Sequence, residues 1–137
     1  MPLWADPIRL VALYVAANAF IMLTLSMLVV RARVKTETPI GDGGNPVMMG
    51  IMRAHENNTE YVPVPLIMLV CVLMLGGTWL PIHIIGGSLT LGRILHGIGL
   101  SRHTGPSLLR LIGMALTWLS IIIGIVALVV LVLVPRG

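Results

Sequence analysis

The chain has 137 residues, of which 57% are hydrophobic and only 10% charged, with a mean hydropathy of +1.00. A composition this apolar, gathered into long runs, excludes a soluble domain of this size. The net charge of +4 would suggest a nucleic-acid partner in a soluble chain, but here the basic residues flank apolar runs, where they report topology, and we read no nucleic-acid binding. The single cysteine, Cys71, excludes an internal disulfide.

A hydrocarbon core of about 30 Å needs roughly 20 apolar residues as a helix. Leu10 to Val30 meets this without a charge, so a first helix is expected from about Ile8 to Arg33. Trp4 and the two early prolines suit an interfacial anchor and a helix start. The opening M-P-L-W-A-D-P-I-R-L lacks a basic n-region and a small-residue cleavage site, so this run reads as a retained helix. The polar connection Thr36 to Pro46 carries the turn signal G-D-G-G. Asn45 and Pro46 then suit the N-cap and first position of a second helix. That helix begins well before its apolar part, Val62 to Leu80, and Pro63 and Pro65 should kink it.

A third run, Pro81 to Leu100, is glycine-rich and interrupted by His83, Arg93 and His96. Its glycines read as sites of close helix packing. Leu111 to Val134 is the most uniformly apolar run and is expected to face lipid or a neighbouring subunit. The final L-V-P-R-G, residues 133–137, looks like the remnant of a thrombin-cleavable linker. The expected fold is therefore all-α and integral to the membrane: one domain over residues 1–137, built as a bundle of four transmembrane helices. So thin a bundle favours a homo-oligomer. Arg31, Arg33, Lys35 and Arg53 flank the first connection and Arg93, Arg102 and Arg110 the third, leaving Arg9 and Arg136 for the other side. The positive-inside rule puts both termini outside and the basic connections in the cytoplasm. The short loops fit a bacterial inner membrane.

The chemistry concentrates in R-A-H-E-N-N-T-E-Y-V-P, Arg53 to Pro63, at the start of the second apolar run. On a helix, Arg53, Asn57, Glu60, Tyr61 and Val64 share one face, with His55 and Thr59 in an adjacent row. Charges at membrane depth cost about 2.5–3.5 kcal/mol each on insertion scales, so they point inward and find partners. One reading is an internal lattice in which Arg53 and Arg93 neutralise Glu56 and Glu60. The other is a site for a small zwitterionic anion, with arginine forks on carboxylates, Glu60 on an ammonium and Asn57 on an amide. The residues alone leave both open.

The same segment resembles the helix-two signature of the MAPEG family, the membrane-associated proteins in eicosanoid and glutathione metabolism. Members carry an R-A-x-x-N-x-x-E-x-x-P pattern, which Arg53, Ala54, Asn57, Glu60 and Pro63 match in spacing. The resemblance implies a four-helix bundle assembled as a homotrimer in membrane lipid, with glutathione held between subunits near the cytoplasmic side. It implies glutathione contacts from Arg53, His55, Asn57, Glu60 and Tyr61, and from Arg31 at the end of the first helix. A second family signature is only partly present in L-G-R-I-L-H-G-I-G-L-S-R, Leu91 to Arg102. There Ile94 and Ile98 stand where the leukotriene synthase branch has tyrosines, while Arg93 and His96 remain as polar contacts. The resemblance also implies an arginine beyond the third helix that lowers the thiol pKa from about 8.5. Arg102 is the first candidate for that role and Arg110 the second.

These expectations describe a glutathione-dependent transferase or peroxidase acting on hydrophobic electrophiles or lipids from the bilayer. A non-catalytic membrane scaffold or lipid-binding protein is the alternative. A small multidrug exporter fits less well, since Glu60 is surrounded by Arg53, His55 and Asn57. No metal site is expected, because no His, Cys or carboxylate pair has zinc spacing; His96 and His103 stand seven apart across a helix end. Cys71 and the nine methionines read as packing, His83 as interfacial, and G-D-G-G lacks the residues of a phosphate loop.

Overall fold

The computed structural model describes residues 2, 5–102 and 104–134; Trp4, His103, Arg136 and the tail 135–137 lie outside them. Every regular element among the described residues is helical: α1 (Pro7–Thr36), α2 (Pro46–Tyr61), α3 (Pro63–Met74), α4 (Trp79–Arg102) and α5 (Leu108–Leu133). Since α2 and α3 are halves of one span, the chain is the expected four-helix bundle. The spans Pro7–Thr36, Pro46–Met74 and Leu108–Leu133 are long and apolar enough to cross a membrane. The fourth, α4, has 24 residues, which at 1.5 Å each makes about 36 Å. It is less apolar in composition, but two of its polar residues are hidden: Arg93 and His96 are 0% and 3% exposed.

Local chemistry sets where the helices start and stop. Asn45 accepts from the backbone N–H of Val47 at 2.9 Å and of Met48 at 3.3 Å, capping α2 with Pro46 at its first position. The expected kink is a break at Val62–Pro63, where proline lacks the N–H that would continue the ladder. At the end of α3, Gly77 N–H donates to Val72 O and Gly76 N–H to Leu73 O, with Gly76 at φ 71°. That is a Schellman ending, and it needs glycine at the left-handed position. The first helix runs to Thr36 rather than Arg33, and Glu37 ends it in the same conformation at φ 51°. The Arg33 guanidinium then donates to the carbonyls of Thr38 (3.1 Å) and Gly41 (3.0 Å), fixing the first connection.

Many large apolar side chains point outward, and several small or polar ones inward, unlike a soluble bundle. Phe20 is 71% exposed and Trp118 55%, whereas the buried residues of α5 are Gly113, Thr117, Ser120 and Gly124. That stripe lies against α4 up to Ser120, whose Oγ donates to Ile85 O at 2.9 Å, and against Met68 of α3 at Gly124. The bulky side of this last helix is the exposed one, the side left for lipid or a neighbouring subunit. Leu10, Val11, Leu69, Val72, Ile82 and Ile85 form one core cluster toward the end holding the α3–α4 turn. Leu25, Ala54 and Leu100 form another toward the basic end. Between α1 and α4, Tyr14 Oη pairs with His83 Nδ1 at 2.7 Å and Asn18 donates to Thr90 Oγ1 at 2.9 Å. His83 is thus half-buried, hydrogen-bonded to Tyr14 and edge-on to the Trp79 ring.

Candidate functional site

At the basic end, α2 starts beside the end of α4. Gly50 allows the approach, since a Cβ there would stand 2.9 Å from Leu100 O. Gly50, Ala54 and Asn58 recur every four residues as the buried face of α2. That register turns Arg53 and Asn57 to the edge of the α2–α4 contact. His96 from α4 and Arg110 from α5 meet them there.

The resulting cleft has a volume of about 230 Å³ and is lined by Met49, Gly50, Arg53, Asn57, His96, Leu100, Thr104 and Arg110. Its charged lining is two arginines, with no carboxylate. Arg53 also pairs with Glu56 at 2.8 Å in an exposed i,i+3 contact, worth under about 1 kcal/mol. Arg110 donates to the carbonyls of Thr104 (3.1 Å) and Gly105 (2.7 Å), so its guanidinium is fixed without being neutralised.

Behind the cleft lies Arg93, fully buried. Its Nε donates to Asn58 Oδ1 at 3.2 Å and its Nη2 to Asn57 Oδ1 at 2.8 Å and His96 Nδ1 at 3.3 Å. Its guanidinium carbon stands 5.9 Å from the Tyr61 ring centroid, a cation–π distance. Nη1 has no partner. Every acceptor that holds this buried cation is neutral. Of the two readings of the cluster, the ion-pair lattice is realised only at Arg53–Glu56; Arg93 is not part of it, and Glu60 lies exposed.

Arg53, Asn57 and His96 thus come together in the cleft, with Arg93 bonded to two of them and Tyr61 stacked behind. His55 is half-buried and Glu60 exposed on other sides of α2, and neither lines the cleft. Arg31 lies in a separate groove with Lys35, Asn45 and Met48. Exposed Arg102 lines two grooves, one against α1 with Phe20, Ile94 and Ile98 and one beside Pro46 and Thr104, but not the cleft. The arginine that does line it is Arg110. Asn58 was not singled out in the sequence, although the Gly50–Ala54–Asn58 spacing carried the signal. Among the described residues no group of three His, Cys, Asp or Glu could hold a metal ion.

Comparison with known proteins agrees with the bundle and the motif. The chain is 32% identical over 117 residues to the inner membrane protein YecN of Escherichia coli strain K12, covering 85% of this chain and 87% of that protein. The inner membrane protein YecN of Escherichia coli O6:H1 matches to the same extent. No solved structure matches. The MAPEG family profile spans residues 11–130, all four membrane helices and the cleft between them, and the chain belongs to the MAPEG family.

Proposed function

We propose that this multi-pass membrane protein is a glutathione-dependent enzyme, a transferase or peroxidase acting on hydrophobic electrophiles that enter from the bilayer. The observation that carries the reading is an anion-seeking cleft without a carboxylate, lined by Arg53 and Arg110 and backed by the un-neutralised Arg93. A small peptide with two carboxylates suits this donor set. Guanidinium forks match carboxylates in shape and charge, and Asn57 and His96 offer further polar contacts. Bound glutathione supplies a thiol, and a fixed cation beside it favours the thiolate. Arg110 lines the cleft and is held by two carbonyls, which makes it the better candidate for that cation than Arg102.

A homotrimer belongs to the same proposal, and two residues fit neighbouring copies packed against one another. Glu60 is exposed on a helix at membrane depth, where a bare carboxylate is costly. Arg31 lies away from the cleft within its own chain. Docking of neighbouring copies would cover the first and bring the second toward a neighbour's cleft. The basic end then faces the cytoplasm, where glutathione is available, and both termini lie outside.

Calorimetric titration of the detergent-solubilised protein tests the reading. Wild type should bind glutathione, and Arg53→Ala should weaken binding about tenfold or more, the loss of one hydrogen bond to a charged group. Absence of binding at millimolar glutathione in wild type would sink the proposal.

A non-catalytic scaffold remains a second reading on one observation. Ile94 and Ile98, in place of the family tyrosines, are 41% and 38% exposed and line an apolar groove outside the cleft. Glutathione binding without turnover of an aryl halide would favour it.

A further inference from the structure

Arg93 does more than add positive potential. It reaches His96 at Nδ1, and a guanidinium has five N–H donors and no acceptor. The bond therefore exists only if Nδ1 accepts, which places the ring proton on Nε2 and leaves the imidazole neutral. Nε2 itself has no partner among the described residues, and it is not one of the fully enclosed unpartnered atoms. His96 lines the cleft, and Nε2–H is the ring's one hydrogen-bonding group that Arg93 leaves unused.

We propose that Arg93 is a positioning residue that locks His96 as a neutral Nε2–H donor toward whatever anion occupies the cleft. The lock has a second tier. Asn58 holds Nε at 3.2 Å and Asn57 holds Nη2 at 2.8 Å, so the guanidinium plane cannot turn away from the ring. Asparagine suits this position where aspartate would not. A carboxylate would neutralise Arg93 and compete with His96 Nδ1 for its guanidinium. The backbone enforces the same geometry, since a Cβ on Gly113 would collide with His96 N at 2.6 Å and hold the helix off α5. The ring is thus fixed in place by packing and in protonation by Arg93. As far as its ligand is glutathione, this inference rests on the function proposed above; the tautomer does not.

Histidine ¹⁵N NMR of the whole protein in detergent reads the lock directly, with His96→Gln assigning the signal. Wild type should show His96 as the Nε2–H tautomer alone. In Arg93→Met, which keeps the side-chain length and removes a buried charge, the ring should populate both tautomers. Titration with glutathione should then show affinity about tenfold weaker than wild type, the share of one donor to a charged partner. Asn58→Ala should give the same changes at smaller size if Arg93→Met fails to fold. A wild-type His96 that is Nδ1-protonated or charged overturns the proposal, as does an Arg93→Met protein with an unchanged tautomer. Wild type that binds no glutathione yet shows the locked tautomer refutes the proposed cofactor and leaves the lock standing.

Discussion

Gly113→Ala is the sharpest structural test, because the added methyl has nowhere to go. A Cβ there would stand 2.6 Å from His96 N, 2.7 Å from Gly92 O and 2.8 Å from His96 Cβ. Two of those three atoms are backbone, so α4 and α5 must move apart, and the Ser120–Ile85 bond across the same interface must stretch. Overpacking of this kind costs about 1–3 kcal/mol, against a helix-propensity gain of about 1 kcal/mol for replacing glycine by alanine. The net should be a loss of up to about 2 kcal/mol, seen as a lower unfolding midpoint than that of a variant with no such clash in a denaturing-detergent titration. Gly97→Ala is the control. Its Cβ would meet only Leu25 side-chain carbons at 3.5 and 3.8 Å, ordinary contacts, so it should be neutral or slightly stabilising. Equal stability of the two variants would refute the claim that α4 and α5 are held at backbone contact. Because Gly113 abuts His96, the same variant should also weaken ligand binding in the cleft, while Gly97→Ala should not.

Asn45→Ala removes the oxygen that caps α2 and should cost about 1 kcal/mol by the same titration; no change would mean that α2 is held by packing alone. Arg110→Ala should abolish the ultraviolet thiolate band of bound glutathione at neutral pH, whereas Arg102→Ala should leave it. The opposite pattern would return the thiol-activating role to Arg102.

Much of the fold was legible because membrane spans announce themselves by length and apolarity. The proline break at residue 63 and the Asn45 cap were readable for a different reason, since both follow from what one residue does to its own backbone. The boundary at Thr36 was not readable. It depends on Glu37 accepting a left-handed conformation and on Arg33 reaching back over the turn, contacts that exist only once the loop is folded. In the cleft, Arg53 and Asn57 were visible through the motif. Arg110 stood only as second candidate and Asn58 was not singled out, because their roles depend on which face of each helix turns inward. Periodicity of large apolar residues, the usual guide to a buried face, points outward in a bilayer. In α5 the inward face is marked instead by Gly113, Thr117, Ser120 and Gly124, and in α2 by Gly50, Ala54 and Asn58. Stripes of small and polar residues are the signal to follow in such a chain.

The balance of charge in the site argues for what it binds. Arg53, Arg93 and Arg110 converge there, and Glu56 offsets one of them, leaving a net excess of two positive charges. A buried guanidinium without a counter-charge costs several kcal/mol, and replacing either Asn57 or Asn58 by aspartate would relieve it at a stroke. That the site holds Arg93 with two amides and an imidazole means the cation is kept available while its orientation is fixed. A ligand with two carboxylates, one ammonium and a thiol brings one negative charge, and two once the thiol ionises. The thiolate form therefore matches the excess and the thiol form leaves one cation unbalanced. On this reasoning Asn57→Asp or Asn58→Asp should stabilise the bundle while raising the pKa of the bound thiol. One substitution would then separate the stability of the site from its chemistry.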